Sequence, residues 1–287
     1  MTLRELLDAW LVDVQDRVDL SDGTKRNYQG VVRLLVEWAG SEYVSSLRVG
    51  DYVRRRRLGG IAERTIALEL RVLTIAANWG HSSGLIPSDV TLSIPKLKVD
   101  PKKFAINHYT PTPGEAGRVI AMMDRDDWRI AALLLARTGA RVGEIVSLRS
   151  RDLDEVRGTL LLGASRDESK TGVRLFPLDP HSLRDLRGRG GHGTVPLLHF
   201  DGLADAKQGI RRRLMDACLQ AEVSPFTPHG LRRMVVGRLI RARVDPGTAA
   251  ALTGHSIKVM LQHYQQVTDE DRREATVRAN LAELIDE

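Results

Sequence analysis

The sequence has 287 residues, a length typical of about two domains. Hydrophobic residues make up 42% and charged residues 28%, so the chain is expected to fold around buried cores rather than remain disordered. A single cysteine, Cys218, excludes a disulfide framework and zinc sites built on paired cysteines. The sequence has no apolar run long enough for a membrane span and no signal-peptide pattern at its start, so a cytoplasmic protein is expected.

The net charge of +6 is unevenly distributed along the chain. Basic and acidic residues balance over 1–95, whereas 96–103 adds +3, 104–268 adds +7 and 269–287 contributes −4. A basic body with a basic connecting segment suits a polyanionic partner, and a solvated basic face gives the same pattern. Charge alone therefore leaves both interpretations open.

Helical periodicity dominates the first 90 residues, and turn signals separate its segments. Four helices are predicted, beginning near Leu3, Thr24, Asp51 and Ile66. The pattern lapses between Pro87 and Pro113, a stretch rich in proline and lysine. The sequence thus predicts a helical domain at 1–90 and a basic interdomain linker at 91–107.

Helical patterns resume at Thr112 and return repeatedly toward the end of the chain, including a helical tail at 270–285. The apolar run at 130–136 is too short for a membrane span and predicts a buried helix. Residues 160–162 and 173–178 have the pattern of a strand pair. The predicted fold class is therefore mainly α with a small β-sheet, with an α+β domain at 108–287.

Two common site signatures are present only in part. Gly188, Gly190 and Gly193 satisfy G-x-G-x-x-G. A dinucleotide site also requires a strand before this motif and a helix after it, and the sequence pattern shows neither. His255 and His263 belong to no H-E-x-x-H motif, so residue type alone supports a metal site. We therefore predict neither a metal nor a cofactor.

Two segments have residue types suited to binding a phosphate. Arg141 follows Gly139, which can end a helix, and precedes by three residues Glu144, which can hold the guanidinium. The alternative for this pair is an ordinary surface ion pair. His229 and Arg232 share a helix face and could combine proton transfer with an anion clamp, whereas the alternative is a solvated basic helix.

The third segment contains Gly254-His255, with Tyr264 nine residues after the histidine; alone, such a tyrosine is usually a packing residue. Taken jointly, the segments resemble the tyrosine recombinase (phage integrase) family. The resemblance rests on T-G-x-R-x-x-E-x-x-x-L, H-x-L-R, G-H followed by tyrosine, and a lysine in K-T-G-V-R-L-F-P-L like that of the family's β-hairpin. The matching positions are Arg141, Lys170, His229, Arg232, His255 and Tyr264.

The resemblance implies a helical core-binding domain at 1–90, a catalytic domain over 108–268, and cleavage and rejoining of DNA through a 3′-phosphotyrosine intermediate. Tyr264 would be the nucleophile and Lys170 the acid that protonates the 5′-oxygen. Arg141 and Arg232 would bind the phosphoryl oxygens. His229 would accept the phenolic proton, and His255 would bond the phosphoryl oxygens or assist.

The resemblance also implies a double-stranded DNA substrate and a homo-tetramer on two DNA sites, in a compact form without an arm-binding domain. Phosphate contacts are expected from basic side chains in the first domain and linker, namely Lys25, Arg26, Arg64, Lys96, Lys98, Lys102 and Lys103. Arg233-Met234-Val235 and Thr253 depart from the family's usual residues. The departure after H-x-L-R favours a phage or mobile-element integrase over a Xer-type recombinase, with a type IB topoisomerase and a non-catalytic DNA-binding regulator as further alternatives.

Overall fold

A computed structural model describes residues 1–97, 109–124, 126–164, 172–200 and 202–264, without the side chains of 203, 204, 263 and 264. Four of the predicted site lysines, Lys98, Lys102, Lys103 and Lys170, lie outside the described residues, as does the predicted helix at 270–285. The chain divides into two compact units, Met1–Ile106 and Asn107–Glu287. None of the described helices is long and apolar enough to span a membrane.

The described part of the first unit is helical. Its α-helices are α1 Leu3–Asp16, α2 Asp22–Ala39, α3 Val49–Leu58 and α4 Glu63–Ser82. Helix α2 begins two residues before the predicted Thr24, because the Ser21 side chain caps it by accepting a hydrogen bond from the Thr24 amide. Helix α4 packs against the other three, and Trp10, Leu35 and Leu73 are fully buried in the shared core.

The second unit is also mainly helical. Its helices are α5 Pro113–Met122, α6 Asp127–Thr138, α7 Val142–Val146, α8 Pro180–Leu186, α9 Leu203–Gln220, α10 Pro228–Arg241, α11 Pro246–Thr253 and α12 Ile257–Tyr264. Helix α6 contains the predicted apolar run, and its Ala131, Ala132 and Leu135 are completely buried. Because α6 packs against α5, α7, α9 and α10, it forms the centre of this unit's core.

A three-stranded antiparallel sheet completes the second unit. Its strands, β1 Leu153–Asp154, β2 Thr159–Leu162 and β3 Arg174–Pro177, are arranged in the order β1-β2-β3. The predicted strand pair is β2 with β3, where Leu160 pairs with Phe176 and Leu162 with Arg174. Strand β1 was not predicted, because two residues are too few to show an alternating pattern. The predicted fold class, mainly α with a small sheet, is confirmed.

Two glycines in the left-handed conformation end helices α6 and α11. Gly139 ends α6 with a φ of 64°, and Gly254 ends α11 with a φ of 70°. Residues with a Cβ rarely adopt this conformation, so glycine allows both helices to stop abruptly. The turns that follow carry Arg141 and His255.

Candidate active site

The Arg141–Glu144 pair is built into the start of α7. Arg141 occupies the N-cap position, and the Glu144 carboxylate accepts hydrogen bonds from the Arg141 backbone amide at 3.0 Å and from its guanidinium at 3.1 Å. The Glu144 side chain is completely buried and that of Arg141 is 28% exposed. The pair is therefore not an ordinary surface ion pair, since its acid lies in the protein interior.

Arg174 of β3 binds the same carboxylate from the other side. Its Nη1 and Nη2 atoms donate to Glu144 at 3.2 and 2.7 Å, and its Nε donates to the Leu252 carbonyl oxygen at 3.0 Å. Burial raises the pKa of Glu144, but the hydrogen bonds from Arg174 and Arg141 outweigh that effect and hold the pKa below its usual value. Glu144 is thus an ionised carboxylate between two guanidinium groups.

The guanidinium of Arg232 lies between the two glycine turns. Nη1 donates to the carbonyl oxygens of Gly139 at 2.6 Å and Thr253 at 2.5 Å, and Nη2 donates to that of Gly254 at 3.3 Å. The residue is only 3% exposed. Burial, reinforced by the positive charge of Arg141, lowers the pKa of Arg232 to about 9.

His255 completes the described part of the cluster. Its Nε2 atom lies 3.2 Å from Arg232 Nε, which donates to it, and its Nδ1 atom lies 2.9 Å from the Thr253 hydroxyl. Thr253 is the last residue of α11 and His255 lies in the turn after it, whereas Arg232 belongs to α10. The structure therefore brings three of the predicted site residues, Arg141, Arg232 and His255, into one hydrogen-bonded and electrostatically coupled cluster.

Residues 114–271, more than half of the chain, match the model of the phage integrase family. The chain belongs to the phage integrase family. Over 92% of its length it is 26% identical to the tyrosine recombinase XerA of Thermococcus kodakarensis, and over 92% it is 27% identical to the tyrosine recombinase XerC of Neisseria meningitidis serogroup B. The matches cover 92% and 91% of those relatives. The predicted enzyme class, a tyrosine recombinase, is confirmed.

Solved integrase structures have the same fold. The Tn1549 transposon integrase in complex with circular intermediate DNA superposes with a TM-score of 0.71 at 21% identity, covering 97% of this chain and all of that one. A lambda integrase dimer bound to a COC′ core site gives a TM-score of 0.69 at 20% identity, covering 92% of this chain and 95% of that one. The architecture predicted from the resemblance is thus confirmed at the level of the fold.

The remaining predicted catalytic positions of this integrase are described less completely. His229 is the second residue of α10, one helical turn before Arg232. Its side chain is exposed, whereas that of Arg232 is buried. Tyr264 is the last residue of α12, and its side chain is outside the description. Lys170 belongs to the chain segment between β2 and β3 that the structure does not describe. The roles of these three residues stay predictions.

The predicted phosphate contacts in the first unit differ in their surroundings. Arg26 and Arg64, on α2 and α4, are exposed, and so is Lys96. The Lys25 ammonium group donates to the Gln15 carbonyl oxygen at 2.6 Å, so part of its hydrogen-bonding capacity is used within the unit. The contacts of these residues with DNA stay predictions.

The glycine-rich segment of the second unit has a structural function. The backbone amides of Gly188 and Gly190 donate to the Glu155 carboxylate at 3.2 and 2.8 Å. A Cβ atom on Gly190 would lie 2.9 Å from that carboxylate, so a larger residue would have to displace the Glu155 side chain. The Glu155 side chain therefore occupies the amides that a nucleotide phosphate would need.

The described residues also contain no cluster of three metal-ligating side chains.

Sequence reasoning missed Arg174, although a local signal for it exists. Strand β3 alternates, with Arg174 and Phe176 partly buried and Leu175 exposed, so the arginine shares a face with an apolar residue that packs on the core. A Cβ atom on Gly254 would lie 2.6 Å from Arg174 Nη1, which shows how closely this guanidinium approaches the Gly254-His255 turn. An arginine on the inward face of a strand requires a buried acceptor, and Glu144 provides it.

Proposed function

We propose that this integrase is a site-specific DNA recombinase that cleaves and rejoins DNA through a 3′-phosphotyrosine intermediate on Tyr264. The observation that carries the proposal is the excess positive charge of the buried cluster. Among the described residues of the cluster, three guanidinium groups, Arg141, Arg174 and Arg232, accompany one carboxylate, Glu144. A buried cluster with this excess is stabilised by an anion.

The direction of the Arg232 pKa supports a phosphodiester as that anion. Burial and the nearby Arg141 disfavour the charged form of Arg232, so its pKa is lowered to about 9. A phosphodiester bound between the two arginines would neutralise this repulsion and accept their hydrogen bonds. The same contacts would strengthen as negative charge builds on the non-bridging oxygens in the transition state, with each donor contributing about 3–4 kcal/mol.

The reaction proposed for these residues is a transesterification. The Tyr264 oxygen attacks phosphorus, forming the phosphotyrosine bond as the bond from phosphorus to the 5′-oxygen breaks. The phenol, whose ordinary pKa is about 10, passes its proton to His229, and Lys170 protonates the departing 5′-oxygen. Because the tyrosyl ester preserves a phosphodiester bond, a 5′-hydroxyl from another strand can reverse the step without ATP.

The helical unit and the linker complete the proposal. We assign phosphate contacts to the basic side chains predicted above, which would hold the DNA duplex against both units. We further propose that the enzyme works in the cytoplasm as a homo-tetramer on two DNA sites. The acidic helical tail predicted at 270–285 would dock on a basic neighbour in that assembly.

A substitution of the proposed nucleophile tests this function. Tyr264→Phe removes only the phenolic oxygen, so we expect DNA binding to be retained and strand cleavage to be lost. A nicked suicide substrate should trap the wild-type protein covalently and leave the variant free, as seen by denaturing electrophoresis. Covalent trapping of the phenylalanine variant would identify a different nucleophile and refute the proposal.

The biological role divides into two candidates. The departure after Arg232 favours a phage or mobile-element integrase, whereas the similarity to proteins named XerA and XerC favours a Xer-type recombinase. Sequencing the DNA trapped covalently on the protein in its host distinguishes them. A mobile-element junction would support the first candidate, and a single chromosomal site outside any mobile element would support the second.

A further inference from the structure

Thr253, the last residue of α11, has its hydroxyl group inside the cluster. The residue is completely buried, and its Oγ1 atom lies 2.7 Å from the Ala249 carbonyl oxygen and 2.9 Å from His255 Nδ1. Its methyl group lies close to Gly139. A leucine at this position, which the family resemblance would lead one to expect, could make neither hydrogen bond.

Counting protons around this hydroxyl determines the state of His255. A carbonyl oxygen has no proton, so an oxygen-to-oxygen distance of 2.7 Å requires the Thr253 hydroxyl to donate to Ala249. A hydroxyl has one proton, and Thr253 therefore has none left for His255. The contact at 2.9 Å is then a hydrogen bond from the His255 Nδ1–H group to the Thr253 oxygen.

The other ring nitrogen is constrained by Arg232. The Arg232 Nε–H group is always a donor, and His255 Nε2 lies 3.2 Å from it. An Nε2–H group would oppose that donor, and an imidazolium would also add a positive charge beside a buried guanidinium. The heavy-atom positions are therefore consistent with one state of the ring, the neutral tautomer with its proton on Nδ1.

We propose that Thr253 is a positioning residue that selects this tautomer and so keeps His255 Nε2 as an acceptor for Arg232. Its effect on DNA cleavage rests on the function proposed above. In this state the His255 ring accepts the Arg232 Nε–H group and so fixes the orientation of the guanidinium in the protein without DNA. Loss of the hydroxyl removes the acceptor of the Nδ1–H group, so the ring is then held only by the Arg232 Nε–H group and the Nε2–H tautomer becomes populated.

Nitrogen NMR of the full-length protein tests the tautomer directly and needs no DNA. The protein is labelled with ¹⁵N-histidine and observed at about pH 8, above the ordinary pKa of histidine. The His255 signals are identified by their loss in His255→Gln. We expect Nδ1 to be protonated and Nε2 unprotonated in the wild type and in Thr253→Ser, and a mixture of the two tautomers in Thr253→Val. Nε2–H in the wild type, or an unchanged pattern in Thr253→Val, would overturn the proposal.

Thr138→Val provides a matched control for the spectrum. Thr138 is also completely buried, and its hydroxyl donates to the carbonyl oxygen of Leu134 at 2.7 Å, as Thr253 does to Ala249. The control variant loses this hydrogen bond and the one that the hydroxyl accepts from the Ala140 amide at 3.1 Å, and neither involves the His255 ring. We expect its His255 spectrum to match the wild type. The loss of the Nδ1–H pattern in this control would attribute the effect to general destabilisation and refute the role of Thr253.

Single-turnover cleavage of the nicked substrate tests the positioning role. We expect Thr253→Val to bind DNA as the wild type does but to cleave it about tenfold more slowly, a factor that corresponds to one lost hydrogen bond. Thr253→Ser should recover most of the rate. Equal rates in all three proteins, or an equally slow serine variant, would refute positioning through the hydroxyl. The proposed function fails separately, if Tyr264→Phe still cleaves, and that result leaves the NMR assignment unaffected.

Discussion

Each unit of this integrase has a buried glutamate held by arginine, and the two glutamates differ in their charge balance. In the first unit, Glu69 accepts hydrogen bonds from the Tyr52 hydroxyl and from Arg56 Nε, both at 2.9 Å. In the second unit, Glu144 binds both Arg141 and Arg174. The Glu69 and Glu144 side chains are 4% and 0% exposed, so burial does not distinguish them.

The donors around each carboxylate account for the difference. Burial and the hydrogen bond to Glu69 raise the pKa of Tyr52 well above its usual value, so this donor stays neutral and Glu69 is balanced by the single charge of Arg56. Glu144 has two charged donors, and its negative charge also acts on a third guanidinium group, since it favours the charged form of Arg232. A balanced buried pair contributes to structure, whereas a buried cluster with surplus positive charge is suited to an anion.

Substitution of one arginine in each cluster should produce the largest contrast. We expect Arg232→Gln to lower the single-turnover rate of DNA cleavage by about 10²–10³-fold, because a donor to the transition-state charge is lost. Arg56→Gln should cleave within about twofold of the wild type at a temperature where both proteins are folded. The control is circular dichroism at the assay temperature. Similar rate losses in the two variants would mean that charge balance does not distinguish the clusters.

Substitution of the two glutamates should separate the clusters by stability. We expect Glu144→Gln to lower the free energy of unfolding by about 3–5 kcal/mol, since it leaves buried guanidinium groups without their counter-charge. Glu69→Gln should cost less, about 1–3 kcal/mol, because it leaves only one guanidinium group, that of Arg56, without its counter-charge. Urea unfolding measures both values. Added inorganic phosphate should reduce the loss of unfolding free energy in Glu144→Gln but not in Glu69→Gln. An equal reduction in both variants would contradict an anion site.

The smallest predicted effect is the pH dependence of the Glu144 contribution. The pKa of Glu144 in the folded protein lies below its ordinary value of 4.5, so the folded state binds fewer protons than the unfolded state in this range. The stabilisation is therefore complete above about pH 4.5 and is lost as the pH falls through the folded pKa. We expect the difference in unfolding free energy between wild type and Glu144→Gln to shrink on acidification. A difference that grows below pH 4.5 would contradict the lowered pKa.

Local patterns were sufficient for much of this architecture. Capping residues, helical periodicity and an alternating strand pattern predicted most helices and the β2–β3 pair, although helix starts shifted where a side chain such as Ser21 capped an earlier position. The spacing of Arg141 and Glu144 predicted their pairing, because a residue just before a helix lies close to the side chain of the third helical residue. That spacing did not predict the burial of Glu144, which depends on the elements packed over it.

The sequence by itself determined which residue types are available, and in particular the two glycines that end α6 and α11 and the arginines near them. Only the tertiary structure decided how their charges combine. Arg174 meets Glu144 across 30 residues of chain, Arg232 meets Gly139 across 93, and it meets Thr253 across 21. Such contacts follow from the packing of α10, α11 and β3 around α6 and α7, since hydrogen bonds between distant segments depend on three-dimensional position, which no local spacing encodes.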